Sequence, residues 1–160
     1  MYNKNDYVVY RHNVCIIKDI KKNDLMEKDI YVLCPIDDES LIINIPVNND
    51  ILRNVISSDE AMNLIKNIHN IKPITEINEK NIETKYKELL NEDNLTYLIT
   101  IIKTTYLRNE NRINNKKKIS DKDDKYFNLA EKYLYNELAI ALNMSVDEIK
   151  KYIYKIVNEL

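Results

Sequence analysis

Up to about residue 50 the apolar positions fall in short β-branched and aromatic runs, Tyr7 to Tyr10, Val14 to Ile20, Ile30 to Ile36 and Leu41 to Val47. Polar stretches such as KKNDLMEK and DDES divide them. Runs of this length between turn segments predict four antiparallel strands, arranged as a meander or a small barrel. The chain contains no glycine. Asparagine is the next most tolerant residue where the backbone needs positive φ, and Asn5, Asn13 and Asn23 stand at such expected turns.

Beyond residue 50 the period becomes helical. Ser57 with Glu60 forms a capping-box pattern, and Ala61, Leu64, Ile65 and Ile68 follow at helical spacing until Pro73, which predicts a first helix from about Ser58 to Asn70. Ile74 to Lys80 reads as a polar linker. Further helices are expected at about Ile82 to Leu90, Asn94 to Arg108, Asp121 to Leu142 and Val146 to Glu159. The last two are introduced by Ser120 with Asp123 and by Ser145 with Glu148. Their apolar stripes (Tyr126, Leu129, Ala130, Tyr133; Ile149, Ile153, Ile156, Leu160) need a shared core, hence a helical bundle. The fold expected is α+β: a small antiparallel β domain at residues 1–52, then an all-helical domain at 53–160.

Composition narrows the function classes. With no glycine there is no phosphate-cradling loop and no dinucleotide fingerprint. The net charge of −2 excludes attachment to nucleic acid by overall charge. The 25 Ile, 23 Asn and 20 Lys fit an AT-rich bacterial genome. Charge is uneven, however. Between Lys103 and Lys125 eight basic residues face four acidic ones, a local net of +4. No apolar run approaches the ~18 residues of a membrane span, and the start MYNKND lacks signal-peptide character, so a soluble cytoplasmic protein is expected.

Chemistry is sparse. Cys15 and Cys34 lie in apolar β-like runs without partners at metal-ligand spacing; they read as small core residues, with a disulfide between them left open. A His12/Cys15 pair is the one nucleophile and base to consider, and residues three apart on a strand point to opposite faces. His69 at a helix end, Asp37 with Asp38 in a turn and Asp123 with Asp124 at a helix start all have structural explanations. No enzyme activity, metal or cofactor is expected. Lys116, Lys117 and Lys118 form either a solvated loop or a phosphate contact. Tyr86 between Lys85 and Lys87 is either core or a stacking residue, and Glu83, Glu88, Glu92 and Asp93 nearby would repel DNA.

Four segments, in order, resemble the CarD-like transcription regulators. NDYVVYRHNVCIIKDI resembles that family's opening G-D-x-V-V-Y-P-x-H-G-V-G-x-I, with Asn5, Asn13 and Cys15 at glycine positions and Arg11 at a proline. IINIPVNN resembles a strand ending I-P-V-D-N. KYKELLNEDNLTYLITIIKTTYLRN is similar to R-Y-R-x-N-x-E-K-L with the helix after it, and AEKYLYNELAIALNMS to A-x-x-L-L-x-x-E-L-A-x-A-L-G-x-S.

The resemblance implies a Tudor-like barrel that binds a lobe of the RNA polymerase β subunit, shared with transcription-repair coupling factors. It also implies a helical domain that contacts promoter DNA at the upstream edge of the bubble without reading sequence, and so modulates open-complex stability. The polymerase-facing positions are Lys22 and Asn23 in the preceding turn and Leu41, Ile42, Ile43, Asn44, Ile45 and Pro46. Asn44 stands where several relatives have arginine. The DNA motif maps onto Ile82, Thr84, Lys85, Tyr86 and Lys87. Many relatives wedge a tryptophan into the minor groove at the position of Ile82, and this chain has none. Ile82 is then either a smaller wedge or part of the bundle. The stretch from Arg108 to Ile119, longer and more basic than the family's turn, is the expected compensating contact through Arg108, Arg112, Lys116, Lys117 and Lys118. The free protein is expected to be a monomer. The rival reading is an adaptor that binds polymerase or another partner through its sheet edge, without DNA.

Overall fold

Strands Tyr7–Tyr10 (β1) and Asn13–Lys21 (β2) form a hairpin whose two-residue turn is Arg11 and His12, at φ 47° and 69°. Two consecutive left-handed residues are what the twist of a tight hairpin demands, a requirement ordinarily met by Asn-Gly. Here it is met with neither. Asn13 is therefore not the turn residue expected; it opens β2 opposite Tyr10. Asn5 does adopt positive φ, at 75°. The computed structural model describes residues 1–22, 28–75 and 78–159, so Asn23 lies outside the described residues.

Strands Ile30–Pro35 (β3), Ile43–Pro46 (β4) and Arg53–Asn54 (β5) complete an antiparallel sheet in the order β4-β3-β2-β1-β5. It is an open sheet with β4 and β5 as edges, so the closed barrel is not what is observed. The register shifts between Ile17 and Asp19, a bulge of the kind that bends a strand. One face buries Val8, Cys15, Ile17, Tyr31, Leu33 and Ile45, with Tyr10, Ile43 and Leu52 packed against them. The last strand run begins two residues later than the pattern predicts. Ser40 donates to Asp38 Oδ1 from both its backbone N–H (3.1 Å) and its hydroxyl (2.6 Å), and Leu41 and Ile42 follow that turn as exposed residues. Strand β5 has only two residues, too few for any periodicity to reveal.

Cys15 is paired with Pro35, and Cys34 with Ile16, so the two cysteines project from opposite faces of the sheet, and both are free thiols. Burial above all, with the Asp37 carboxylate adding to it, pushes the Cys15 thiol up to about 12.

The chain divides into two units, Met1–Ile56 and Ser57–Leu160, so β5 belongs with the sheet beyond the boundary expected at residue 52. The second unit holds Ser58–Lys66 (α1), Ile82–Asn91 (α2), Leu95–Asn114 (α3), Asp121–Leu142 (α4) and Val146–Glu159 (α5). Ser57 and Glu60 close a full capping box, at 3.1 and 3.2 Å. Helix α1 ends before Asn70 because the Asn67 side chain donates to the Asn63 carbonyl (2.8 Å) and the chain tightens into a 3-10 turn, Ile68–Asn70. The core joins Ala61 and Ile65 of α1, Leu98 and Ile101 of α3, Ala130, Leu134 and Leu138 of α4 and Ile149 of α5. Among the described residues no helix is long and apolar enough to cross a membrane.

Helices α3 and α4 both stop on a left-handed residue without glycine, Lys116 at φ 57° and Asn143 at φ 53°. Met144 N–H then bonds back to the Ala139 carbonyl at 2.9 Å and closes the end of α4. Asn143→Gly should stabilise the chain by roughly 0.5 kcal/mol, whereas Asn143→Val, β-branched in left-handed space, should cost about 1 to 2 kcal/mol. Urea unfolding of both variants checks the sign and order.

Candidate functional site

Edge strand β4 is built by alternation. Its register with β3 pairs Ile30 with Pro46, Tyr31 with Ile45, Val32 with Asn44 and Leu33 with Ile43. Val47 N–H donates to the Asp29 carbonyl at 2.9 Å, which fixes the phase of the ladder. The main-chain groups of Ile43 and Ile45 therefore face β3, and those of Asn44 and Pro46 face away. Ile45 is buried beneath the sheet, while Asn44 and Pro46 are exposed. No strand flanks the outer side of β4 among the described residues. Pro46 has no N–H to offer there, and its carbonyl accepts from Asn49 Nδ2 at 2.8 Å, so the edge is closed at that end. At the other end it stays open, beside Leu41 and Ile42, which are 47% and 64% exposed. Lys22 is exposed.

The helical positions come out differently. Ile82 is 1% exposed and Tyr86 fully buried, which corrects the reading of Ile82 as a wedge and of Tyr86 as a stacking residue. Both are core because α2 turns them inward at i, i+4. Tyr86 packs its ring 5.0 Å from Tyr126 and donates its hydroxyl to Asp123 Oδ1 at 2.8 Å. Thr84 and Lys87 are exposed and Lys85 is half-buried, but Lys85 pairs with Glu88 (3.7 Å) and Lys87 with Glu83 (3.5 Å).

Asp123, at the third position of α4 and fully buried, is the hub of an ionic cluster. Arg108 Nε donates to its Oδ2 at 3.0 Å and Arg112 Nη1 to the same oxygen at 2.6 Å. The outer Nη2 atoms of both arginines converge on the exposed carboxylate of Glu79, that of Arg112 at 2.8 Å and that of Arg108 in closer contact. Asn109 Oδ1 accepts from Arg112 Nη1 (2.7 Å) and from Ser120 N–H (2.9 Å). Ser120 Oγ in turn accepts from Asp123 N–H at 3.3 Å. The box read between Ser120 and Asp123 is thus half made: the carboxylate turns to the arginines. Burial pushes the Asp123 carboxyl up, but hydrogen bonds from Arg112, Tyr86 and Arg108 outweigh it and hold the group below the usual carboxylate range. Hydrogen bonds from Arg108 and Arg112 likewise lower Glu79.

Arg108 and Arg112 are therefore not the free DNA cations expected, nor do they lie in a loop, since α3 runs to Asn114. Lys103 is also engaged, donating to the Ile68 and Ile71 carbonyls. Lys122 stands 3.9 Å from Glu83, and Lys125 lies over the Tyr126 ring. What remains of the basic stretch is Lys116, Lys117 and Lys118, all exposed. Lys117 joins Glu79, Arg108, Asn111, Arg112 and Asn115 around a polar cleft of about 210 Å³. The sequence reading missed Glu79 and the hub role of Asp123. The available signal was Arg108 and Arg112 at i, i+4, a pair suited to one shared carboxylate.

His12 stands in the hairpin turn, so the alternation argument does not apply to it. Among the described residues no group of three or more His, Cys, Asp or Glu could hold a metal ion. No protein-family model matches the chain, and no curated protein matches it.

Two expectations follow from burial. Ile82→Ala should cost about 2 to 5 kcal/mol as a core truncation, read by urea unfolding. Asp123→Asn should cost about 3 to 5 kcal/mol at neutral pH, because two arginines lose a buried anion. A carboxyl lowered in the folded state stabilises above the ordinary carboxylate range, and that contribution is lost as pH falls through its folded-state value. The gap between Asp123→Asn and the parent should therefore narrow in acid, checked by repeating the unfolding at neutral and at low pH.

Proposed function

We propose that the chain is a CarD-like regulator of transcription initiation whose β domain docks through its open sheet onto a strand of the RNA polymerase β-subunit lobe. The observation that carries this reading is the β4 edge. It offers outward main-chain groups at Asn44, two exposed apolar side chains at Leu41 and Ile42, and a closed end at Pro46 and Asn49. An incoming strand gains affinity from such main-chain groups and specificity from the side chains beside them. The ordered resemblance to the CarD-like pattern names the partner. Promoter DNA is then contacted without sequence readout through Lys116, Lys117 and Lys118, with tethering to polymerase supplying the effective concentration that a chain of net charge −2 needs.

A second reading, the adaptor without DNA contact, is favoured by the burial of Ile82 and Tyr86 and by the pairing of Lys85 and Lys87 with carboxylates.

The discriminating substitution for docking is Asn44→Pro. It removes one outward N–H and leaves the ladder to β3 intact, whereas Ile43→Pro would break that ladder and unfold the sheet. Asn44→Pro should abolish capture by a purified β-lobe fragment while the melting temperature stays within a few degrees; undiminished capture would refute the docking strand. Changing Lys116, Lys117 and Lys118 together to alanine separates the two readings on the polymerase–promoter complex. With about three phosphate contacts, log affinity should fall with log salt at a slope near −2.7, and the triple variant should lose that slope. An unchanged slope would leave the adaptor reading.

A further inference from the structure

The arginine pair of α3 meets a buried carboxylate on its inner side and an exposed carboxylate of the same unit on its outer side. Each guanidinium is divided in function. Arg108 Nε and Arg112 Nη1 are fixed inward by the fully buried Asp123, and Arg112 Nη1 is held further by Asn109. That leaves Nη2 of both arginines converging outward on the two oxygens of one carboxylate, Glu79. The inner bonds preorganise the fork. The outer anion is weakly committed: the Glu79 side chain is 68% exposed against 23% and 18% for Arg108 and Arg112. An exposed carboxylate of this kind contributes little to stability, because water and salt compete for it.

We propose that this fork is a phosphate-binding site, and that Glu79 is an internal competitor that an incoming phosphate group displaces. Charge and shape both favour the exchange. With Glu79 in place the two arginines and two carboxylates cancel. With Glu79 displaced they carry +1, which balances the single charge of a backbone phosphodiester, and Lys117 on the rim of the same polar cleft brings the local charge to +2, which balances a free phosphate dianion. Guanidinium N–H groups make charge-assisted hydrogen bonds to phosphate oxygens as readily as to a carboxylate. The cleft of about 210 Å³ between Glu79, Arg108, Arg112 and Lys117 admits a phosphate group rather than a large ligand. The phosphate arrives either on a nucleic-acid backbone or as a free ion. In the first case the inference deepens the DNA-contact reading above and gives it a regulated component: the helical unit is held in a low-affinity state until DNA, concentrated by polymerase, competes Glu79 away.

The test is Glu79→Gln, which removes the competing charge from an exposed position and leaves the buried bonds to Asp123 untouched. Titration calorimetry of the full chain with inorganic phosphate, and separately with a short DNA duplex, should show binding to at least one probe tightened roughly two- to fivefold, the worth of one partly exposed ion pair. Tightening for both probes assigns the site to the phosphate group itself, and tightening for the duplex alone assigns it to the nucleic-acid backbone. A second variant, Lys117→Ala in the Glu79→Gln background, should reverse much of the gain without touching the buried cluster. Unchanged affinity for both probes in a folded Glu79→Gln chain would overturn the proposal. The β-lobe capture assay reads the other unit, so this failure would leave polymerase docking standing. A salt slope still lost in the triple lysine variant would likewise preserve the DNA-contact reading while the fork falls.

Discussion

A carboxylate removed from water is tolerated only when donors replace its hydration. Asp123 is fully buried, and it is met by a tyrosine hydroxyl from α2 and two guanidinium groups from α3, with its own helix cap made through Ser120. Three helices are thereby keyed to one atom group. The apolar core supplies most of the stabilisation of the helical unit, but any compact arrangement of amphipathic helices would bury apolar area. The requirement that Tyr86, Arg108 and Arg112 reach the same carboxylate selects one relative placement of α2, α3 and α4.

That constraint decides which cations remain at the surface. Cations that look available in the sequence are committed to internal bonds: Arg108 and Arg112 to Asp123 and Glu79, Lys103 to two carbonyls at the end of the α1 segment. The helix positions where the family resemblance places a DNA wedge are core. What stays outward is a short lysine run after α3 and, in the other unit, the open edge of β4. A sheet edge is a liability unless it is managed. Here one end is closed by Pro46 with Asn49, and the stretch left open lies next to two exposed apolar residues. That asymmetry is what the proposed docking rests on.

Much of the fold was legible because apolar runs and helical stripes report burial directly: β1 falls where its β-branched and aromatic run places it, and α4 and α5 where their helical patterns do. The elements that strayed did so for local reasons. Helix α3 runs six residues past Arg108 because its last turns are held by arginines rather than by an apolar stripe. The Asp38 turn delays β4, and β5 is too short to show a period. At the candidate site, the edge position of β4 could be read from Pro46. The inward direction of Ile82 and Tyr86 could not, since an apolar residue at the start of a helix fits a wedge and a core equally well, and a tyrosine one turn further on fits stacking and core alike. The cluster was hidden because its partners, Glu79, Arg108 and Asp123, are separated along the chain and charge counting treats each as solvated.

The proposed docking places the recognition surface on the outer side of β4. Hydrogen–deuterium exchange of the full chain, with and without the β-lobe fragment, reads it amide by amide. The amides of Ile43 and Ile45 face β3 and should already be slow in the free chain, whereas the outward amide of Asn44 should exchange fast when free and become protected on binding. Protection that leaves Asn44 unchanged and falls instead on residues 82–87 would contradict the account.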